Sequence, residues 1–179
     1  LEKKEEKKTE DSISLTLVQS LVGSNKIRFV IEKSVEIGVD RIIPIQSQYS
    51  HIKKSKAIRE YGLWKKIIKD ATEQSRNIKP TIIEKPLSIH KLEVDKEATK
   101  ICLVTENVEN QSLSQLLEKA EINKPIVIAI GPEKGWSSRD LDIFKEKGFK
   151  FVNLKGNILR TETTGLVISS IIQYLRGKI

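Results

Sequence analysis

The amino-acid sequence predicts an α/β fold with a mostly parallel sheet and helices on both faces of that sheet. Two observations lead to this prediction. Short apolar runs alternate with longer amphipathic segments along the chain, and the run IVIAI at 126–130 is apolar at every position. A strand without polar alternation is typical of a parallel sheet that is covered on both faces. Ligands of such folds bind at the carboxyl ends of the strands, so we expect the functional site at that edge.

Six strands and five helices follow from periodicity and from the residues that end each segment. The strands are predicted at 13–18, 41–46, 81–84, 101–105, 126–130 and 149–154. The helices are predicted at 26–37, 57–76, 112–120, 137–147 and 161–176. Gly38, Pro80 and Pro125 follow predicted helices, as glycine and proline commonly do. Ser137 is placed to cap the fourth helix, and Gly148 is placed to end it in a left-handed conformation.

Two glycine-containing loops each follow a predicted strand, at 131–137 (GPEKGWS) and 155–160 (KGNILR). The first is not a P-loop, because only three residues separate Gly131 from Gly135 and Trp136 stands where the lysine is required. No G-x-G-x-x-G triplet occurs, so dinucleotide binding is unsupported. Either loop alone is explained by backbone geometry. The two together favour a site for a nucleotide-like ligand.

Composition is that of one soluble globular domain, with 38% hydrophobic and 31% charged residues among 179. We expect a cytoplasmic location, since no run has membrane-spanning length and the charged first eleven residues do not resemble a signal peptide. Cys102, the single cysteine, lies in an apolar run and is predicted to be a core residue. His51 and His90 stand apart from other metal-ligand types, so no metal site is expected.

The loop motifs carry a family resemblance. IGPEKGWS at 130–137, with LKGNILRTETT at 154–164, resembles the paired C-terminal motifs of the RsmE family. These are SPOUT-class enzymes that methylate N3 of a uridine in small-subunit (16S) ribosomal RNA. Residues 26–50 resemble that family's E-[IL]-G-V turn with its flanking helix and strand, and ATEQSR at 71–76 resembles its E-Q-x-x-R segment. The resemblance covers nearly all of 13–176, although the family usually has a second glycine where Lys134 stands.

The resemblance implies a domain organisation and a chain crossing that patterns alone do not give. Pattern rules favour an unknotted chain. The resemblance to SPOUT enzymes implies instead a C-terminal trefoil knot, formed where the chain near 154–164 passes through an earlier loop. The sequence contains no methionine, so we expect residues before Leu1. The resemblance implies a PUA-like barrel there, with 1–12 as a linker remnant and 13–179 as the methyltransferase domain.

The same resemblance implies S-adenosylmethionine as the cofactor, held bent in the knot largely by backbone groups and without a metal. An apolar surround suits this ligand, because its sulfonium loses positive charge during methyl transfer. The implied cofactor-binding residues are Thr105, Glu106, Ile130, Gly131, Gly135, Leu154, Gly156, Ile158, Leu159 and Thr164. The leucines and isoleucines in this set are equally suited to a plain core.

Methylation of uracil N3 requires loss of a weakly acidic proton, which calls for a base or an anion-stabilising cation. Glu133, Arg160 and Glu162 are the candidate catalytic residues, and Arg160 is the preferred one because a guanidinium holds a phosphate or a developing anionic oxygen. The alternative makes Glu162 a helix N-terminal charge that pairs with Arg160. A cysteine-dependent C5 reaction is disfavoured by the predicted burial of Cys102. Ribose 2′-O methylation and a noncatalytic RNA-binding module remain the alternative functions.

Ribosomal RNA and a second copy of the chain are the expected partners. Between residues 51 and 91, eleven Lys or Arg stand against four Asp or Glu, a balance of +7. Lysines also serve solubility, but here they surround one apolar face of the second helix. The RNA-binding candidates are Lys65, Lys66, Gln74 and Arg76. The helix at 161–176 is apolar on more than one stripe, and SPOUT enzymes pair across it, so we expect a homodimer.

Overall fold

The computed structural model describes residues 14–105, 111–119 and 121–179. The predicted α/β fold is confirmed: eight strands form one sheet in which every pairing between described residues is parallel. The strands are β1 (Leu15–Ser20), β2 (Arg41–Gln46), β3 (Ile82–Ile83), β4 (Leu87–Ser88), β5 (Thr99–Leu103), β6 (Gln111–Ser112), β7 (Ile126–Ile130) and β8 (Lys150–Asn153). Their order is β3-β2-β1-β7-β5-β8-β6, with β4 also beside β2.

Within the described residues, five α-helices and one 3-10 helix cover the two faces of the sheet. The α-helices are α1 (Ser24–Ile37), α2 (Lys54–Ser75), α3 (Leu113–Lys119), α4 (Ser138–Glu146) and α5 (Thr161–Leu175). Apolar side chains of α1, α2, α3 and α5 share one buried cluster. The opposite cluster contains Phe144 of α4, Ile89 of the 3-10 helix Ile89–Lys91, and Cys102 of β5. The prediction of helices on both faces is therefore confirmed.

Strand and helix positions agree with the sequence patterns to within a few residues. The bounds of β2 and β7 are those predicted, whereas β1 ends two residues later and α2 begins three residues earlier than predicted. The strands β4 and β6 and the 3-10 helix were not predicted. Each is only two or three residues long, which is too short for a periodic pattern to show.

The residues at the helix ends adopt the capping conformations that the sequence predicts. Ser137 caps α4 in a capping box: its hydroxyl accepts from the Asp140 amide at 3.1 Å, and the Asp140 carboxylate accepts from the Ser137 amide at 3.0 Å. Gly148 follows α4 with φ +78°, and Gly38 follows α1 with φ +83°. Both angles lie in the left-handed region that glycine adopts most readily.

Strand order runs β3-β2-β1 on one side of the sheet and reverses between β1 and β7, with β5 and β8 beyond β7. In open parallel sheets, ligands bind outside the carboxyl ends of the strands at such a reversal. The fold therefore places a binding crevice at the ends of β7, β5 and β8. The trefoil knot stays a prediction. Within the three described ranges, no helix has the length and apolar character needed to cross a membrane.

Candidate active site

A cavity of about 680 Å³ opens at the carboxyl ends of β5, β7 and β8. The segment 130–136 forms one side of it, the segment 153–161 forms the other, and residues 103–105 lie between them. Its volume falls in the range of small-molecule sites, and apolar side chains such as Leu141 and Phe151 line it together with a few polar groups. The two glycine-containing loops of the sequence thus face one another across one cavity.

The structure brings the predicted cofactor-binding residues together. Nine of the ten line this cavity: Thr105, Ile130, Gly131, Gly135, Leu154, Gly156, Ile158, Leu159 and Thr164. The tenth, Glu106, lies outside the described residues. The reading of the isoleucines as plain core is wrong for Ile158, whose side chain is 85% exposed. The part that these nine residues take in ligand binding stays a prediction.

The loop after β7 makes a tight turn. The Gly135 amide donates to the Pro132 carbonyl at 2.8 Å, and Gly135 has φ +73°. Lys134 stands one position earlier, and its φ is not positive. A type II turn would need a positive φ there, so this turn does not require glycine at position 134. Lys134 therefore changes the charge at the cavity without straining the backbone.

Trp136 holds this loop against β5. Its indole N–H donates to the Leu103 carbonyl at 3.0 Å, and its ring meets Phe144 edge to face with centroids 4.7 Å apart. A Cβ atom on Gly131 would lie 3.2 Å from the Trp136 ring. Glycine at position 131 is therefore explained by close packing against the indole, whereas Gly135 and Gly156, with φ +73° and +112°, are explained by backbone conformation.

Thr161, which the sequence patterns did not single out, ties the two loops together. It is the first residue of α5 and is buried, and its hydroxyl donates to the Gly131 carbonyl at 2.5 Å. The Thr161 oxygen also accepts from the buried Gln19 amide at 3.4 Å. The feature of the sequence that could have identified Thr161 is its position at the junction of a glycine-containing loop and a helix. This contact fixes the spacing of the cavity walls.

The sequence patterns also did not single out Lys26, which lies between the two acidic candidates Glu133 and Glu162 and pairs with both. Its ammonium lies 3.0 Å from a Glu133 carboxylate oxygen and 3.4 Å from one of Glu162. The hydrogen bond to Glu133 raises the pKa of Lys26 above its ordinary value. Partial burial raises the pKa of Glu133, but a backbone hydrogen bond and Lys26 outweigh it and bring that pKa below its ordinary value. Both carboxylates thus form ion pairs with the same lysine.

Arg160 is placed differently from its acidic neighbours. The alternative pairing of Arg160 with Glu162 is wrong, because Glu162 pairs with Lys26. Arg160 lines the cavity and is exposed, and its guanidinium makes no hydrogen bond or ion pair to any described residue. A guanidinium in this position is available to a ligand. Glu162 lies in the first turn of α5, as the helix N-terminal interpretation requires.

The four RNA-binding candidates lie away from this cavity. Lys65, Lys66, Gln74 and Arg76 are all exposed along α2 or at its end. The apolar face predicted for this helix is buried and includes Trp64, Ile68 and Ala71. Since α2 starts near the cavity edge of the sheet, Arg76 lies about 30 Å along the helix from that start. Their part in RNA binding stays a prediction.

Cys102 is fully buried in the core, and burial raises its pKa well above the ordinary value, with the charge of Asp140 adding to the effect. It therefore has no access to a substrate and little thiolate character, as the sequence predicted. Among the described side chains, no group of three or more His, Cys, Asp or Glu is arranged to hold a metal ion.

The fold and this cavity define a class of protein. A model of the RNA methyltransferase domain matches residues 9–173, so the chain belongs to that family. It is 32% identical over 162 residues to the ribosomal RNA small subunit methyltransferase E of Aquifex aeolicus, covering 88% of this chain and 67% of that protein. More narrowly, the chain belongs to the ribosomal RNA small subunit methyltransferase E family, as the sequence resemblance predicted.

Solved structures agree with this assignment. The methyltransferase E of Neisseria gonorrhoeae, crystallised with S-adenosylmethionine, is 28% identical to this chain and superposes with a TM-score of 0.80 over 91% of it. A methyltransferase of Legionella pneumophila, also in complex with S-adenosylmethionine, has a TM-score of 0.80 at 23% identity, over 92% of this chain and 67% of its own, and supports the fold alone. The chain spans 66% of the Neisseria structure, about two thirds of the length of its relatives.

Proposed function

We propose that this chain binds S-adenosylmethionine in the cavity at the ends of β5, β7 and β8 and methylates N3 of a uridine in small-subunit ribosomal RNA. The observation that carries the proposal is the cavity itself, where nine residues chosen from the sequence meet. Support comes from the similar Neisseria structure, which holds that cofactor. The choice of N3 rests on the resemblance of LRTETT and EQSR to the RsmE motifs.

The residues of the cavity suit S-adenosylmethionine. The bound cofactor supplies an electrophilic methyl group on a sulfonium. Ile130, Leu141 and Phe151 offer an apolar surround, which disfavours the charged reactant more than the neutralised transition state. The two positive-φ glycines let backbone groups approach a ligand closely, since no side chain stands between. Thr161 keeps the two loops at a fixed separation.

Arg160 is the residue that we propose to stabilise the uracil anion. Loss of the N3 proton places negative charge on the flanking carbonyl oxygens, and an unpaired guanidinium at the cavity wall can donate hydrogen bonds to one of these oxygens or to a phosphate. Stabilising the anion lowers the pKa of N3–H. The proton leaves to solvent or to a carboxylate, and the nitrogen then attacks the methyl group as the bond to sulfur breaks.

Glu133 and Glu162 are the remaining candidates for that proton. Glu133 lines the cavity, but a carboxylate whose pKa is lowered is a weaker base. Glu162 is only 14% exposed and lies between Lys26 and the first turn of α5. We therefore propose that both carboxylates position Lys26, and that Glu133 receives the proton only when substrate displaces Lys26.

A homodimer through α5 completes the proposal. Ile168 and Ile172 face the chain's own core and are fully buried, whereas Ile171, Tyr174 and Leu175 are 38%, 71% and 48% exposed. An exposed apolar strip on the same helix suits a twofold contact with a second copy. Lys65, Lys66, Gln74 and Arg76 then offer a further exposed surface for RNA phosphates and base edges.

Transfer of labelled methyl groups from S-adenosylmethionine to small ribosomal subunits tests the proposal. The purified protein should label subunits that lack the modification and should not label subunits that already carry it. Cofactor binding with no transfer to any RNA would leave the noncatalytic RNA-binding module as the better account. Absence of cofactor binding would overturn the assignment of the cavity.

A further inference from the structure

A second cavity, also of about 680 Å³, adjoins the first. It lies between the start of α1 and the start of α2 and is lined by Gly23–Lys26, by residues from His51 to Arg59, and by Glu133. Lys26 and Glu133 line both cavities. The Lys26–Glu133 ion pair therefore forms a shared wall, and a ligand in the second cavity, here called the basic cleft, lies beside the proposed methyl donor.

The basic cleft carries an excess of unpaired positive charge. Lys26, Lys53, Lys56 and Arg59 line it, and Glu133, the only carboxylate among the described residues that line it, is already paired with Lys26. The nearby Glu60 is held by the Ser24 hydroxyl at 2.8 Å and by Arg28 at 3.6 Å. Within the described ranges, Lys53, Lys56 and Arg59 consequently have no ion-pair partner. Three cations converge on the cleft without a counter-charge.

Helix stability does not explain this arrangement. Neither α1 nor α2 has a side-chain N-cap or an acidic residue in its first turn. Lys53 and Lys56 place positive charge at the positive end of the α2 dipole, which is unfavourable for the helix. An anion bound in the cleft would interact favourably both with these lysines and with the N-terminus of α2. The arrangement is therefore that of an anion-binding site.

We propose that the basic cleft binds the backbone phosphates of single-stranded RNA next to the target nucleotide. The strand is held by Lys53, Lys56 and Arg59, so that its base reaches the first cavity across Lys26 and Glu133. RNA is the fitting polyanion because the cleft is open, cationic and next to the proposed methyl donor. The inference rests on the proposed function and names the surface that positions its substrate.

Removing three cleft charges tests the inference. In the variant Lys53→Ala/Lys56→Ala/Arg59→Ala, the KM for small ribosomal subunits should rise about tenfold or more, and the salt dependence of RNA binding should flatten by about two to three units of slope. The matched control is Lys96→Ala/Lys145→Ala/Lys150→Ala, which removes three exposed charges close to the amino ends of β5 and β8. The control should keep the wild-type KM and slope, and both variants should keep wild-type affinity for S-adenosylmethionine.

Crosslinking gives a second test that does not depend on the triple variant folding. Lys56→Cys, labelled with a thiol-reactive photocrosslinker, should join to rRNA within a few nucleotides of the methylated uridine; the native Cys102 is fully buried and stays unlabelled. Crosslinks to a ribosomal protein, or to distant rRNA, would overturn the inference. A wild-type KM and slope in the triple variant would do the same. Failure of the wild-type protein to methylate rRNA would instead overturn the proposed function.

Discussion

Glycine at positions 135 and 156 is predicted to be essential for cofactor binding but not for folding. Both residues line the proposed S-adenosylmethionine cavity, and both have positive φ, at +73° and +112°. A Cβ on Gly135 would meet only the Thr105 hydroxyl, at 4.0 Å, and a Cβ on Gly156 would meet no protein atom within 4 Å. Gly135→Val and Gly156→Val therefore strain the loop without colliding with the core.

The magnitude follows from the backbone. A left-handed conformation costs a non-glycine residue about 1–2 kcal/mol, and a β-branched side chain lies at the upper end. If each loop must keep its conformation to bind the ligand, this strain alone weakens binding about 5-fold to 30-fold, since about 1.4 kcal/mol corresponds to a factor of ten. The added methyl groups also occupy space beside the ligand, which takes the expected loss beyond that range.

Isothermal titration calorimetry with S-adenosylmethionine measures the effect, and circular dichroism checks the fold. Gly177→Val is the matched control, because Gly177 also has positive φ, at +66°, with open space around it, but lies after α5 and outside the cavity. The control should suffer similar backbone strain and keep wild-type affinity. Wild-type affinity in both Gly135→Val and Gly156→Val would refute the reasoning.

Four further predictions concern the remaining parts of the site. Arg160→Ala should lower kcat about 100-fold while leaving S-adenosylmethionine affinity unchanged, as measured by single-turnover methyl transfer; unchanged kcat would remove Arg160 from the chemistry. Lys26→Met should raise the pKa of Glu133, as followed by carboxyl-carbon NMR. In the wild type, the stability contributed by ionised Glu133 is present above its unfolded-state pKa and is lost as pH falls through its lowered folded-state pKa. If the titration midpoint of Glu133 is the same in Lys26→Met as in the wild type, the assigned pairing is contradicted. Ile171→Glu with Tyr174→Glu should convert a dimer to monomers in sedimentation equilibrium without unfolding, whereas a wild-type monomer that turns over would refute the dimer. Cys102→Ser should cost about 1–3 kcal/mol of stability, because a buried hydroxyl replaces an apolar thiol, yet keep methyl transfer; loss of transfer in the folded variant would revive a nucleophilic role.

Much of the fold was predictable because its strongest signals are local. The run IVIAI at 126–130 gives β7 with its observed bounds, and Ser137 with Gly148 marks the two ends of α4. The pairings β5 with β8 and β8 with β6 join segments that are far apart in sequence. No periodicity in either segment specifies its neighbour, so strand order could not be predicted from patterns.

The candidate site was predictable where a motif marks backbone geometry, and it was missed where a side chain acts at long range. Gly131, Gly135 and Gly156 stand out in the sequence as loop glycines. Lys26 lies 107 positions before Glu133, in an ordinary amphipathic helix, and only the fold brings the two charges to 3.0 Å. The basic cleft was missed for the same reason, because the charge count over residues 51–91 did not show which lysines converge.

Identification of the modified nucleoside tests the central claim most directly. The protein is incubated with labelled S-adenosylmethionine and unmodified small ribosomal subunits, and the rRNA is then digested to nucleosides and separated by chromatography with mass spectrometry. The proposed function predicts that the label appears in 3-methyluridine. Label in a 2′-O-methylated nucleoside, or in no nucleoside although the protein binds both cofactor and RNA, would contradict it.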